Sequence, residues 1–301
     1  MQKILITGGT GLLALNWAFA LRDRMQVTIT THNRSISIDR VNILHLNLDS
    51  VDNIISVISS IKPSYVIHTA GLTSIEQCEL NPNEAFLVNT QLSENVSLAC
   101  IKTGTPMAHI STDHLFDGEK SFLTEEENTS PVNIYGKSKA AAEKKLLDMG
   151  AEVSIIRTNF YGWGPKYRQS FSDIIINNLR SSKAITLFND VFYTPIYIGT
   201  LILLVHQLLN EKAVGIYNVV GAERISKYDF GVRLAKFFDL DAGLILPGKI
   251  SDNTLLVKRP YDMSLSNKKI IKKLGYKANS IDEDFQYLLE DEKIHNISSV
   301  Q

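Results

Sequence analysis

Short apolar, β-rich runs alternate along this chain with longer stretches whose apolar positions recur at helical spacing. The runs predict strands near 3–7, 26–31, 42–46, 64–69, 106–111 and 152–157. The intervening stretches predict helices near 11–23, 51–61, 82–103, 134–149, 170–182, 196–211 and 226–238. Such an order implies an α/β fold, a parallel sheet wrapped by helices on both faces with right-handed crossovers. After Arg157 the pattern loosens, and Tyr161-Gly162-Trp163-Gly164-Pro165 reads as an irregular loop. The expected division is a main unit over 1–160 and a smaller lobe mainly over 161–301. Strands within 184–222 (184–188 and 215–220) are expected to return to the main sheet.

Composition narrows the setting. The chain has 301 residues, a net charge of -1 and two cysteines. It can bury a large core. Nothing in its charge points to nucleic acid or a membrane surface. Its greasiest segment, 196–209, is too short for a span and contains His206, so a core helix is expected. The chain enters a strand at once, without a secretory segment. Cys78 and Cys100 make no disulfide framework and fit no zinc spacing, so a reducing cytoplasm is the expected setting. Glu125-Glu126-Glu127 reads as a solvated loop, and the polar tail after Glu292 as loosely held.

The first strand runs directly into Gly8-Gly9-Thr10-Gly11-Leu12-Leu13-Ala14, and a helix follows. Strand, glycine turn, helix is the context of a dinucleotide-phosphate loop. Gly8 permits the tight turn, Gly11 lets backbone N–H groups approach a pyrophosphate, and Ala14 allows close helix packing. The fold is therefore read as a Rossmann-type doubly wound parallel sheet with a smaller C-terminal substrate-binding lobe. The second strand ends in Thr31-His32-Asn33-Arg34, without the acid that selects the ribose diol of NAD. Arg34 suits a 2′-phosphate, which favours NADPH over NADH.

Tyr135-Gly136-Lys137-Ser138-Lys139 places a phenol and an amine on one helical face. The ammonium is expected to lower the phenol's pKa. With the upstream hydroxyls Ser111-Thr112, the pair forms a proton-handling set for carbonyl/alcohol interconversion. Y-x-x-x-K alone is common on solvated helices; the glycine loop gives it weight.

Together these residues resemble the extended short-chain dehydrogenase/reductases, closest to the dTDP-4-dehydrorhamnose reductase branch of nucleotide-sugar reductases. The anchors are T-G-G-T-G-L-L-A from Thr7, V-I-H-T-A-G from Val66, Asn89-Thr90, S-T-D-H-L-F-D-G from Ser111 and Y-G-K-S-K from Tyr135. R-T-N-F-Y-G at Arg157, T-P at Thr194 and R-P at Arg259 add to them. The resemblance implies Tyr135 as general acid, Lys139 as its ribose-binding partner and Thr112 as the group polarising the carbonyl. It implies cofactor contacts at Gly8, Thr10, Gly11, Leu12, Leu13, Arg34, Asn47, Leu48, Thr69, Ala70, Gly71 and Asn89. It implies contacts to a nucleotide-sugar substrate at Thr73, Asp113, His114, Asn159, Tyr161, Trp163 and Arg259. A homodimer is compatible with it. Asn16 stands where some relatives carry an acid for a magnesium-bridged dimer, so no metal is expected.

Several readings have bland counterparts. Tyr161 and Trp163 either stack on substrate or pack the lobe. Arg259 either meets a diphosphate or forms a surface ion pair. Arg157, at a strand end, is structural. A dehydratase or epimerase on the same scaffold is the alternative enzyme, although His114 stands where dehydratases carry a Glu. A non-catalytic NADP-binding regulatory subunit is the third reading.

Overall fold

The central apolar runs are buried on both faces, as inner strands of a helix-covered parallel sheet must be, while Val41–His45 is only partly covered. In the computed structural model, which describes residues 1–150, 152–252 and 257–294, these runs form one seven-stranded sheet. We label its strands β1 (Lys3–Thr7), β2 (Gln26–Thr31), β3 (Val41–His45), β4 (Tyr65–His68), β5 (Met107–Ile110), β6 (Val153–Arg157) and β7 (Gly215–Asn218). Every pairing is parallel, and the spatial order is β7-β6-β5-β4-β1-β2-β3. The order reverses between β1 and β4, where a doubly wound sheet opens its crevice at the strands' carboxyl ends. The polar tail after residue 294 lies outside the described residues.

Of the two runs expected to return to this sheet, Gly215–Asn218 pairs with β6. Ile185–Phe188 does not; it pairs with Ile245–Gly248 in a separate two-stranded sheet. The expected helix over 82–103 is helical throughout but contains a π turn at Leu87–Gln91. Such a wide turn rotates one side chain out of register, and here it carries Asn89.

The helix Ile198–Asn210 buries its apolar face beside the helix Leu12–Leu21 and β4. His206, on this helix, is held from two sides. Trp17 Nε1 donates to His206 Nε2 at 2.6 Å, and Tyr65 Oη lies 2.6 Å from Nδ1. Since Nε2 accepts, the ring's proton sits on Nδ1 and is donated to the tyrosine oxygen. Protonating Nε2 would set two N–H groups against each other.

Burial pulls His206 down to about 4. Between that value and its unfolded value near 6.5 the unfolded chain binds more protons, so stability is present above about 6.5 and lost as pH falls. Denaturant titrations from pH 7 to pH 4 are expected to show a loss of about 2–3 kcal/mol from this group. The loss should be shallower in His206→Gln; equal slopes in the two proteins would overturn the assignment.

Candidate active site

β1 delivers the glycine loop. Gly8 has φ +77°, and a Cβ there would lie 2.6 Å from the Ala70 nitrogen, so only glycine lets this turn touch the segment after β4. Gly9 N donates to Thr30 O and Gly11 N to Gly8 O. Gly11 caps the helix Leu12–Leu21 with no side-chain hydrogen bond, and its first turn holds no acid. The free N–H groups at this helix start suit a pyrophosphate. Ala14 is fully buried, which lets the helix lie close to the sheet.

The segment after β4 forms the second wall. Thr69 Oγ1 donates to Thr7 O at 2.6 Å. Asn89, on the π turn, accepts from Leu72 N and donates to Leu72 O and Ser138 Oγ. One buried amide thus ties the 69–72 segment to the tyrosine helix. Beneath it runs a buried polar chain. Ser93 Oγ donates to Asn89 O, so it accepts from His68 Nε2, which leaves His68 Nδ1 to accept from Thr7 Oγ1.

The third wall follows β5. The helix Ile134–Asp148 starts at Asn133, whose side chain accepts from Gly136 N. A Cβ on Gly136 would meet His114 O at 2.2 Å, so the helix start lies directly against the Thr112–His114 segment. That contact brings Tyr135 to Thr112. Tyr135 is 8% exposed and stands edge-on to His114, with ring centroids 5.7 Å apart. One turn on, Lys139 Nζ donates to Ile110 O at 2.6 Å and lies 3.2 Å from His109 Nε2.

The electrostatics differ from the expected phenolate. Burial pushes the Tyr135 phenol up to about 12, against the hydrogen bond with Thr112, which draws it down. Burial also pulls Lys139 down to about 8, against the nearby Glu143 carboxylate. Lys139 spends its hydrogen bond on a strand-end carbonyl. The phenol therefore stays protonated at neutral pH, which is the form an acid needs.

These walls enclose one cleft of about 440 Å³. Its lining includes Gly8, Thr10, Gly11, Leu12, Leu13, Thr69, Ala70, Gly71, Thr73, Asn89, Thr112, Asp113, His114, Tyr135, Lys139 and Asn159. Asp113 Oδ2 accepts from Asn159 Nδ2 at 2.5 Å. Arg34 is not part of this lining; its guanidinium carbon lies 3.9 Å from the centroid of Tyr167, whose hydroxyl donates to Thr10 O of the glycine loop. Leu48 is buried, and its carbonyl accepts from Asn95; Asn47 is exposed and caps Asp49 N. Neither lines the cleft.

Tyr161 and Trp163 do not line it either. Tyr161 is buried edge-on against Phe230 and Phe285, and Trp163 donates to Leu288 O and packs on Phe238. Both are packing residues, because helices from far along the chain cover them. Arg259 is ion-paired to Glu76. Ser111 donates to Glu143, and Arg157 binds the same carboxylate, so both are structural. Asn16 donates to Leu12 O and Trp163 O. Arg168 and Gln169 line the cleft and escaped sequence reasoning. Arg168 reaches Thr73 Oγ1 at 2.5 Å from an irregular loop that has no periodicity to read.

The family model described as the RmlD substrate binding domain matches residues 1–294. A dTDP-4-dehydrorhamnose reductase of Aggregatibacter actinomycetemcomitans is 28% identical over 91% of this chain and 94% of its own length. The beta subunit of methionine adenosyltransferase 2 from Xenopus tropicalis is 26% identical over 90% of this chain and 82% of its own. Among solved structures, the dTDP-4-dehydrorhamnose reductase of Bacillus anthracis in complex with NADP superposes with a TM-score of 0.83 at 22% identity, covering 97% of this chain and 100% of that one. The resemblance read from the glycine loop and the Ser111 and Tyr135 motifs is borne out, and the chain belongs to the RmlD substrate-binding-domain family.

Proposed function

We propose that this protein is an NADPH-dependent reductase of a 4-keto-6-deoxy nucleotide sugar of the dTDP-4-dehydrorhamnose type. The observation that carries this reading is one cleft lined by an uncapped helix start, Thr112, Tyr135 and Lys139. The residues fit the cofactor: Gly8 and Gly11 leave room for a pyrophosphate, and Lys139 stands within the same lining. When bound, the nicotinamide supplies the hydride. Thr112 donates to the C4 oxygen and polarises it. Tyr135 gives that oxygen its proton as the alcohol forms, and burial keeps the proton available until then. Thr73, Asp113, His114 and Asn159 line the side left for the sugar.

The reading is tested by adding dTDP-4-dehydrorhamnose to protein and NADPH and following the nicotinamide absorbance. Oxidation no faster than with Tyr135→Phe would count against it. Kinship with a methionine adenosyltransferase beta subunit supports a second reading, a cofactor-binding regulatory subunit. Stoichiometric capture of an enzyme partner, with no turnover, would favour that reading.

Arg34 tests the cofactor assignment. It is exposed and held over Tyr167 beside the glycine loop. Arg34→Ala is expected to raise the KM for NADPH by about tenfold, the loss of one charge-assisted phosphate contact, while leaving that for NADH nearly unchanged. Parallel changes for both cofactors would remove the 2′-phosphate role.

A further inference from the structure

Two side chains of the cleft lining are cationic, Lys139 and Arg168. Lys139 is buried and donates to Ile110 O. Arg168 is exposed, and among the described residues no carboxylate forms an ion pair with it. Its partner is instead a neutral hydroxyl: Nη2 donates to Thr73 Oγ1 at 2.5 Å. Arg259, the other candidate for a diphosphate, is paired with Glu76 and lies outside the lining.

The loop beneath Arg168 is tied down on both sides. Arg168 N donates to Pro165 O, Tyr167 Oη donates to Thr10 O, and Asp173 Oδ2 accepts from Gly164 N and Ser170 N. A Cβ on Gly164 would lie 2.3 Å from Arg168 O and 2.9 Å from Leu12 Cδ1, so the loop sits tight against the helix start. This loop follows β6, whereas Thr73 follows β4, and β5 runs between those strands. The Arg168–Thr73 contact therefore spans the strand whose end leads into Thr112 and Asp113.

A guanidinium fork matches the paired oxygens of a phosphate. Thr73 accepts from Arg168 and so keeps its own hydroxyl proton to donate to the same group. Under the reductase reading two diphosphates enter the cleft, one on the cofactor and one on the sugar nucleotide. The first has the free N–H groups of the helix start at Leu12. Thr73 lies on the side left for the sugar, which gives Arg168 to the second. Resting on that reading, we propose that Arg168 is a specificity-determining residue that, with Thr73, grips the diphosphate of the nucleotide sugar. Because its loop is already held, little backbone freedom is lost when the ligand arrives.

Calorimetric titrations of wild type and Arg168→Met with NADP⁺, and with dTDP in the presence of saturating NADP⁺, test the proposal. Arg168→Met should weaken dTDP about tenfold or more, as loss of a charged hydrogen bond predicts, and leave NADP⁺ nearly unchanged. The wild-type advantage for dTDP should shrink as KCl is raised, because the contact is ionic. Arg168→Lys, which keeps the charge without the fork, should lose less and serves where the methionine variant does not fold. Unchanged dTDP binding in the variants, an equal loss for both ligands, or no dTDP binding by wild type overturns the proposal. So does a larger loss for NADP⁺, which would give the guanidinium to the cofactor's pyrophosphate, or an advantage that salt leaves untouched. Failure of the reductase reading appears elsewhere, as absent NADPH consumption by wild type, because these titrations require no turnover.

Discussion

Tyr135→Phe is expected to lower kcat by about 10²- to 10⁴-fold, the range for losing a positioned general acid. KM for the sugar should change little, because a general acid's proton matters only as charge develops on the oxygen. The ring itself will stay. Tyr135 packs with Ile75, Cys78 and Ala85, and removing one hydroxyl keeps those contacts. Steady-state NADPH oxidation at saturating sugar checks the value, and thermal unfolding checks that the fold is intact. A loss of less than about tenfold would assign the proton to another group, with His114, edge-on to the phenol, the nearest alternative.

The second large effect lies outside the chemistry. Glu143 is 3% exposed and accepts from Ser111 and, in a forked pair, from Arg157, which is 2% exposed. Arg157 Nη1 already has no hydrogen-bond partner, and the guanidinium's other neighbour is the Phe116 ring, 5.5 Å away, which offers no negative charge to replace the carboxylate. Glu143→Ala is expected to cost about 3–5 kcal/mol, the penalty of leaving one buried charge uncompensated. The double variant Glu143→Leu, Arg157→Met should be much less damaging, since it removes both charges and keeps the volume. Denaturant midpoints of the three proteins decide the matter. Additive losses in the double variant would mean that the pair's contacts, and not its charges, stabilise the site.

The parallel sheet was legible because its central strands are buried on both faces and so read as apolar runs. The glycine loop was legible because a positive φ at Gly8 leaves a residue-level mark. Ile245–Gly248 left no such mark: it is short and contains Pro247, which reads as a loop. The short helix Ile75–Leu80, with exposed Glu79 and Leu80, has too little periodicity to stand out. Tyr161 misled for a related reason. Aromatics in a glycine-rich loop look available, and Tyr197, Phe230 and Phe285, remote in sequence, fill the space around this one. The Tyr135–Lys139 spacing was read correctly as one helical face. What spacing cannot supply is the dielectric around that face, or the Ile110 carbonyl that takes the amine's hydrogen bond.

The order of the sheet has a consequence for how this chain comes off the ribosome. β6 lies between β5 and β7, and β7 follows it only at Gly215–Asn218. During synthesis, the first six strands can assemble while β6 still presents a bare row of amides and carbonyls, flanked by fully buried Val153, Ile155 and Ile156. A growing polypeptide halted between residues 160 and 214 is therefore a sticky species, open to edge-to-edge pairing with its neighbours on the same message.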